Sequence, residues 1–190
     1  SGVRLQFETD SDSVGITALC TNNRMLGAEK RPVVFDLEIS DQTYSQATVE
    51  GNTIEIDPAT QAFEVKRGSP ATLTFANLPG GKKFCELWSP HNAYVELQAL
   101  HLDDGASLTA PATDDRVRWI HYGSSISHCT EAIQPSLIWP AVAAREAGVS
   151  LQNLGFGGQC HLDPFVARTI RDSDADIISI KTGINIVNMD

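Results

Sequence analysis

The chain has 190 residues, a formal net charge of −10 and 42% hydrophobic residues. This length allows one large domain or two small ones, each with a core of its own. The acidic balance lacks the basic footprint of a nucleic-acid-binding protein, and no apolar window approaches the roughly 18 residues of a membrane helix. We therefore expect a soluble globular protein without nucleic-acid or membrane partners. Because no secretory signal is visible, a cytoplasmic location is favoured.

The first half of the chain alternates apolar and polar residues with a period of two, which predicts strands with one buried face. Turn residues such as Leu78-Pro79-Gly80-Gly81 separate the runs, and no helical pattern interrupts them. Many short strands of this kind predict an antiparallel β-sandwich of the jelly-roll type. We assign it to residues 1–102. The clearest alternations are at 3–7, 14–20 and 33–39.

The pattern changes after a small, polar stretch at residues 103–116, which is typical of a linker. Strand and helix signals then alternate, and the βαβαβ order predicts an α/β layer with a parallel sheet and right-handed crossovers. The third strand, Ile177-Ile178-Ser179-Ile180, is apolar enough for a sheet covered on both faces. The predicted strands are 117–122, 151–154 and 177–180, and the predicted helices start at Pro135 and Pro164 and include Leu137–Ala143 and Phe165–Ile170.

Three loops follow these strands, and ligands of open α/β sheets bind at the carboxyl ends of the strands. The loop at residues 122–127 offers a serine hydroxyl, and the loop at residues 155–160 offers backbone N–H groups unobstructed by side chains. The loop at residues 182–185 offers the amide of Asn185. A hydroxyl nucleophile with backbone and amide donors is what a tetrahedral oxyanion needs. This set of groups predicts acyl-transfer chemistry.

Each of these signals also has a simpler interpretation. Gly123-Ser124-Ser125 fits a polar turn, and Asn185 fits a turn residue. The glycines of the second loop fit a tight turn or a phosphate-binding loop, but their Gly-x-Gly-Gly spacing departs from the dinucleotide fingerprint and lacks a Walker lysine. A nucleotide-binding protein is therefore disfavoured. The order of all three loops on successive strand ends is more specific than any one of them.

The three loops resemble the first three sequence blocks of the SGNH, or GDSL-type, hydrolases. Residues 123–127 resemble the Gly-Asp-Ser-Leu block, with Ser125 at the nucleophile. Residues 153–158 resemble the second block, with Gly158 at the oxyanion-hole glycine, and residues 183–185 resemble the Gly-x-Asn block, with Asn185 at the oxyanion-hole asparagine.

The resemblance covers residues 117–190. It implies the first βαβαβ part of the flavodoxin-like three-layer SGNH fold, with its C-terminal part missing. A weaker likeness at residues 86–91 is to SGNH esterases, including some carbohydrate esterases, that carry an N-terminal jelly roll. The implied activity is metal- and cofactor-independent hydrolysis of short acyl esters, including acetyl groups on carbohydrates. The implied partner is therefore a small-molecule or carbohydrate ester.

The chain departs from the family pattern at two points. Ser124 stands where the family has aspartate, which we expect to change the rigidity of the loop more than its chemistry. The Asp-x-x-His block that supplies the family's acid and base is absent, so we interpret the chain as a piece of a longer protein. His128 and His161 lie closest to the site in sequence, but we interpret these and the other three histidines as surface or packing residues.

The four cysteines are far apart and form no Cys-x-x-Cys pair, so neither a zinc site nor a redox motif is predicted. We expect free thiols at Cys20, Cys85, Cys129 and Cys160. The alternative function is a binding module, in which the sandwich holds a glycan or a partner and the second part is an inactive hydrolase fold. Exposed aromatic residues would favour it, but only 7% of the residues are aromatic. Self-association is left open.

Overall fold

The computed structural model describes residues 2–187, which form two compact units. The first unit, called here the sandwich unit, comprises residues 4–111. The second, called the α/β unit, comprises residues 112–187 together with residues 2 and 3. Among the described residues, no helix combines the length and the apolar character needed to cross a membrane.

One sheet of the sandwich unit is antiparallel throughout. Its strands are β1 (Arg4–Thr9), β3 (Val33–Ile39), β4 (Gln42–Thr48), β8 (Lys83–Trp88) and β10 (Leu108–Thr109), in the order β10-β1-β8-β3-β4. The short strand β10 lies within residues 103–116, which the sequence predicts to be a linker. Its two residues pair with the end of β1, so this part of the stretch is attached to the sandwich.

The second sheet is built around one long strand. Its strands are β2 (Val14–Met25), β5 (Asn52–Ile56), β6 (Phe63–Lys66), β7 (Ala71–Phe75) and β9 (Tyr94–Leu102). One edge of β2 pairs with β9, and the other edge pairs first with β7 and then with β5. The β2–β5 pairing is parallel, unlike the antiparallel pairing expected from the sequence. It arises because β2 extends past β7 and exposes backbone groups that β5 satisfies.

The core of this unit lies between the two sheets and takes alternate residues from both of them, as the period-two pattern predicts. Ile16 and Leu37, from different sheets, are both fully buried. Burial of such a side chain contributes roughly 1.5–3 kcal/mol. The predicted β-sandwich is therefore confirmed.

All four cysteines are free thiols, and Cys20 and Cys85 lie in this core. Burial raises the pKa of each of these two thiols to about 11, so that about one thiol in a thousand is ionised at pH 8. We expect Ellman's reagent to label Cys129, which is partly exposed, in the native chain. Cys20 and Cys85 should react only as the sandwich unfolds in urea. Fast labelling of either one in the native chain, located by peptide mapping, would contradict this assignment.

The α/β unit has a three-stranded parallel sheet with β11 (Arg118–Gly123) between β12 (Ser150–Gly155) and β13 (Ile177–Lys181). A short helix α1 (Ser125–His128) follows β11. The remaining helices are α2 (Trp139–Ala147), α3 (Pro164–Arg171) and α4 (Ile184–Val187). The predicted βαβαβ order and the α/β class are confirmed.

The second helix starts later than the sequence predicts. Pro135–Leu137 forms a single 3₁₀ turn, Ile138 is extended with ψ 140°, and α2 begins only at Trp139. A helix continuous from Pro135 would press the ring of Pro140 against the preceding turn and leave a carbonyl without its donor. The break places Pro140 in the first turn, where its missing N–H costs little. The helix stops at Gly148, which adopts φ 65°.

Strand β13 differs from its prediction in burial. The sequence predicts coverage on both faces, but Ile178 and Ile180 are 50% and 60% exposed in the described part of the chain. The core of the unit lies instead around β11 and α3, where Ile120 and Tyr122 pack against Val166 and Ile170.

Candidate active site

The three parallel strands end level with one another. Gly123 at the end of β11 pairs with Gly155 of β12 and with Lys181 of β13. The three loops that carry the candidate residues therefore leave the sheet side by side, at the carboxyl ends of the strands. This is the position at which open α/β sheets bind their ligands.

The loop after β11 turns at once into α1, which has a single turn. The N–H groups of Ser127 and His128 donate to the Ser124 carbonyl at 2.9 and 3.0 Å. Ser124 and Ser127 are buried, whereas Ser125 between them is exposed. Of these three serines, Ser125 is therefore the one that presents its hydroxyl to solvent.

Two glycines let α1 lie directly on the sheet. A Cβ atom on Gly123 would lie 2.3 Å from the Ser127 hydroxyl oxygen, and one on Gly155 would lie 2.5 Å from the Ser127 carbonyl group. Real Cβ contacts are not this short, so both strands must end in glycine. Gly155 thus has a packing role.

A buried group of polar side chains lies beneath α1. His121 is 2% exposed, and its Nε2 and Nδ1 atoms lie 2.7 Å from the hydroxyl oxygens of Ser127 and Ser179. Asn153 of β12 donates from its amide to the Ser127 carbonyl oxygen at 3.0 Å. Burial lowers the pKa of His121 from its ordinary value of 6.5, and the charge of Lys181 lowers it further. The histidine is therefore held neutral near physiological pH.

The sequence interpretation missed this group. The sequence predicts a surface or packing histidine at position 121, because a lone histidine in a strand gives no sign of its partners. One signal is present in the sequence: His121 lies two residues before Gly123 and two after Trp119, so the three residues share one face of β11. The partners themselves lie six and 58 residues away in the chain, and that proximity comes from the fold.

The loop after β12 is fixed to the first loop by its backbone. The Phe156 N–H donates to the Gly123 carbonyl at 2.9 Å, and the Gly157 N–H donates to Nδ1 of His128 at 3.2 Å. Gly158 follows, exposed, with φ 69°. This left-handed conformation is available to glycine at little cost, and a Cβ there would meet no other atom within 4 Å. Backbone conformation, and not lack of space, is what requires glycine at this position.

The loop after β13 reaches the second loop through Asn185. Gly183 turns the chain with φ 121°, and Asn185 lies in α4. The Asn185 amide donates to the carbonyl oxygen of Gln159, the residue after Gly158. The structure thus brings Asn185 into contact with the residue that follows Gly158.

Within residues 2–187, no histidine forms a hydrogen bond to the Ser125 hydroxyl. His128 uses Nδ1 to accept from Gly157, and His101 bonds to Thr17 in the sandwich unit. Over the same residues, no group of three His, Cys, Asp or Glu side chains is arranged to hold a metal ion.

The comparisons with known proteins agree with this architecture. Residues 117–188 match the GDSL-like lipase/acylhydrolase family, which confirms the resemblance drawn from the three loops. Over these residues the α/β unit is similar to that family. No curated protein matches the chain.

Several solved structures share the fold of the chain. The salicylyl-acyltransferase SsfX3 from a tetracycline biosynthetic pathway is 33% identical, with a TM-score of 0.77 over 97% of this chain and 49% of that one. A protein from Bacteroides ovatus described as a GDSL-like lipase is 21% identical, with a TM-score of 0.67 over 95% of this chain and 50% of that one. A family two carbohydrate esterase from Clostridium thermocellum is 13% identical, with a TM-score of 0.54 over 83% and 46%. The chain thus spans about half the length of the proteins that it matches.

Proposed function

We propose that the protein is a serine acyl-transfer enzyme in which Ser125 attacks the carbonyl carbon of an ester. The Ser125 oxygen forms an acyl-enzyme, the alcohol leaves with a proton, and an acceptor then takes the acyl group and frees the serine. One observation carries the proposal: the level strand ends at Gly123, Gly155 and Lys181 bring an exposed serine hydroxyl and two donor loops to one side of the sheet.

The oxyanion of the tetrahedral intermediate would be held by three donors. These are the backbone N–H groups of Ser125 and Gly158 and the side-chain amide of Asn185. The amide has two N–H donors, and the Gln159 carbonyl accepts one of them. This contact fixes the orientation of the amide, and its second N–H is the one assigned to the oxyanion.

The general base in this proposal is a histidine oriented by an aspartate, as the family resemblance implies. The 190 residues contain no Asp-x-x-His sequence. A serine hydroxyl is a weak nucleophile without such a base, whose help contributes roughly 10²–10⁴ to the rate. We therefore expect full activity from the longest natural form of the protein that carries this histidine and aspartate. From the 190-residue chain alone we expect weak activity.

The acceptor decides between two activities. Hydrolysis of short acyl esters, with carbohydrate acetyl esters among the substrates, is the activity we favour from the family resemblance. Transfer to an alcohol is the second candidate, because the 33% identical structure is that of an acyltransferase. Product analysis with p-nitrophenyl acetate, with and without added alcohols or sugars, distinguishes them: free acetate indicates hydrolysis, and an acetylated alcohol indicates transfer. No turnover in the longest natural form would favour the binding-module alternative.

Asn185→Ala tests the oxyanion assignment. We expect kcat for p-nitrophenyl acetate to fall by roughly 10²–10³, the usual effect of removing one such donor. The matched control is Asn92→Ala, because Asn92 also donates its amide to a backbone carbonyl, that of Pro32, but in the sandwich unit. The control should keep its kcat within about twofold. Equal rates for the two variants would remove Asn185 from the oxyanion hole.

A further inference from the structure

A continuous chain of hydrogen bonds, partly buried at Trp119 and Ser179 and fully buried at Ser127, joins β13, β11 and α1, and the proposed function uses none of its side chains. The Trp119 indole N–H donates to the Ser179 hydroxyl oxygen at 2.8 Å. That oxygen lies 2.7 Å from Nδ1 of His121, whose Nε2 lies 2.7 Å from the Ser127 hydroxyl oxygen. Ser127 is fully buried.

The Ser127–His121 pair has the spacing of a nucleophile and its base, but its burial excludes that role. Gly123 lies so close above the pair that even a Cβ atom there would be 2.3 Å from the Ser127 hydroxyl oxygen. No ester carbonyl can enter a gap that excludes a methyl group. The pair must therefore act on the structure around it.

The two hydrogen bonds of the His121 ring are those that a neutral imidazole can make. A neutral ring has one donor and one acceptor nitrogen, so one serine hydroxyl donates to it and the other accepts from it. An imidazolium has two donors and no acceptor, so protonation would break one of these bonds. Lys181 of β13 is the charged group acting on the ring, and it disfavours a second positive charge. The ionisable side chain on α1 itself is His128, whose Nδ1 accepts from Gly157.

This chain of hydrogen bonds ends at Ser127, two residues after the candidate nucleophile Ser125. Helix α1 has four residues, too few to be stable without external contacts. Its contacts include the bond between His121 and Ser127, the bond from Asn153 to the Ser127 carbonyl, the bond from the Gly157 N–H to the His128 ring, and the bond from the Trp139 indole N–H to the Ile126 carbonyl at 2.9 Å. Of these, the bond to His121 is the one that links α1 to the centre of the sheet.

We propose that His121 is a positioning residue: its neutral ring, held by Ser179, fixes Ser127 and thereby sets the direction of the Ser125 hydroxyl. The inference rests on the proposed function for its effect on catalysis. The effect of His121 on α1 is independent of that function and can be measured without substrate.

The structural test is hydrogen–deuterium exchange of the α1 amides of Ser127 and His128. In His121→Phe, which keeps a ring but removes both nitrogens, we expect these amides to exchange at least about tenfold faster, with the sandwich unit unchanged. The matched control is His101→Phe, because His101 also bonds to a hydroxyl, that of Thr17, at 2.8 Å. The control should leave α1 unchanged. Unchanged exchange in His121→Phe would overturn the proposal, whatever the function of Ser125.

The catalytic test adds the variant His121→Gln, made in the longest natural form of the protein. The glutamine amide keeps one donor and one acceptor, so this variant should fold even if His121→Phe does not. We expect His121→Phe to lower kcat by roughly 10- to 100-fold with KM within about twofold, since a small misplacement of a reacting group has this effect. His121→Gln should recover part of the loss. In the double variant Ser127→Ala/His121→Phe, kcat should fall by less than the product of the two single-variant losses.

The pH profile separates positioning from a general loss of stability. Above pH 6.5 the ratio of wild-type to His121→Gln kcat should be constant. It should shrink as the pH falls further, because the wild type then loses its neutral ring and glutamine does not titrate. A ratio independent of pH, or additive effects in the double variant, would overturn the positioning role. Full turnover in Ser125→Ala would instead overturn the proposed function, and the exchange result would still stand.

Discussion

Ser125→Ala should lower ester turnover roughly 10⁴-fold or more in the longest natural form of the protein. The substitution removes the only atom that can form the acyl-enzyme in the proposed mechanism, and loss of a catalytic serine has effects of this size in other serine hydrolases. Residual catalysis over water is expected to survive, because the oxyanion donors remain. The assay is p-nitrophenyl acetate hydrolysis at pH 7.5, followed by initial rates.

The control for this variant is Thr130→Ala, which removes an exposed hydroxyl five residues further along the same loop. Its kcat should stay within about twofold of the wild type. Both variants should unfold at the temperature of the wild type, since Ser125 and Thr130 are exposed and bury no packing atoms. If Ser125→Ala hydrolyses the ester at the rate of Thr130→Ala, Ser125 is not the nucleophile.

Gly155→Ala is expected to destabilise the α/β unit by about 2 kcal/mol or more. The added Cβ would lie 2.5 Å from the Ser127 carbonyl carbon and oxygen and 2.6 Å from the His128 backbone nitrogen. All three are backbone atoms, so they cannot swing away as a flexible side chain would. Either α1 lifts from the sheet or β12 shifts, and each change breaks contacts of the Ser125 turn.

Gly157→Ala is the matched control, because it makes the same substitution two residues away in the same loop. Its Cβ would lie 3.5 Å from the nearest atom of the His128 ring, an ordinary van der Waals distance. We expect a change within about 0.5 kcal/mol. Thermal and urea unfolding, monitored by tryptophan fluorescence from Trp119 and Trp139, measure both variants. Equal stabilities for the alanine variants at 155 and 157 would show that α1 does not need to approach the sheet this closely.

The position of the candidate site could be predicted from sequence, because parallel strands place the loops that follow them at one end of the sheet. The residues of β11, β12 and β13 were evident from apolar runs, and the loop residues Ser125 and Asn185 follow directly from those runs. The position of a loop at a strand end is local information. The position of such a loop can therefore be predicted without knowledge of long-range contacts.

The parts that sequence reasoning missed depend on contacts between distant segments. The bond from His121 to Ser179 spans 58 residues, and the close approach of Gly155 to Ser127 spans 28. The parallel pairing of β2 with β5 depends on how far β2 extends past β7. The start of α2 at Trp139 instead reflects a local effect, the conflict of Pro140 with a continuous helix, that the apolar pattern conceals.

The proposed mechanism requires that Ser125 becomes acylated. The most direct measurement treats the longest natural form of the protein with a fluorophosphonate and locates the adduct by fragmentation of the peptide that contains residues 123–129. This peptide holds three serines, Ser124, Ser125 and Ser127, and only the second is exposed. We predict one adduct, on Ser125, blocked by prior incubation with substrate. An adduct on Ser127, or on a residue outside this peptide, would contradict the assignment.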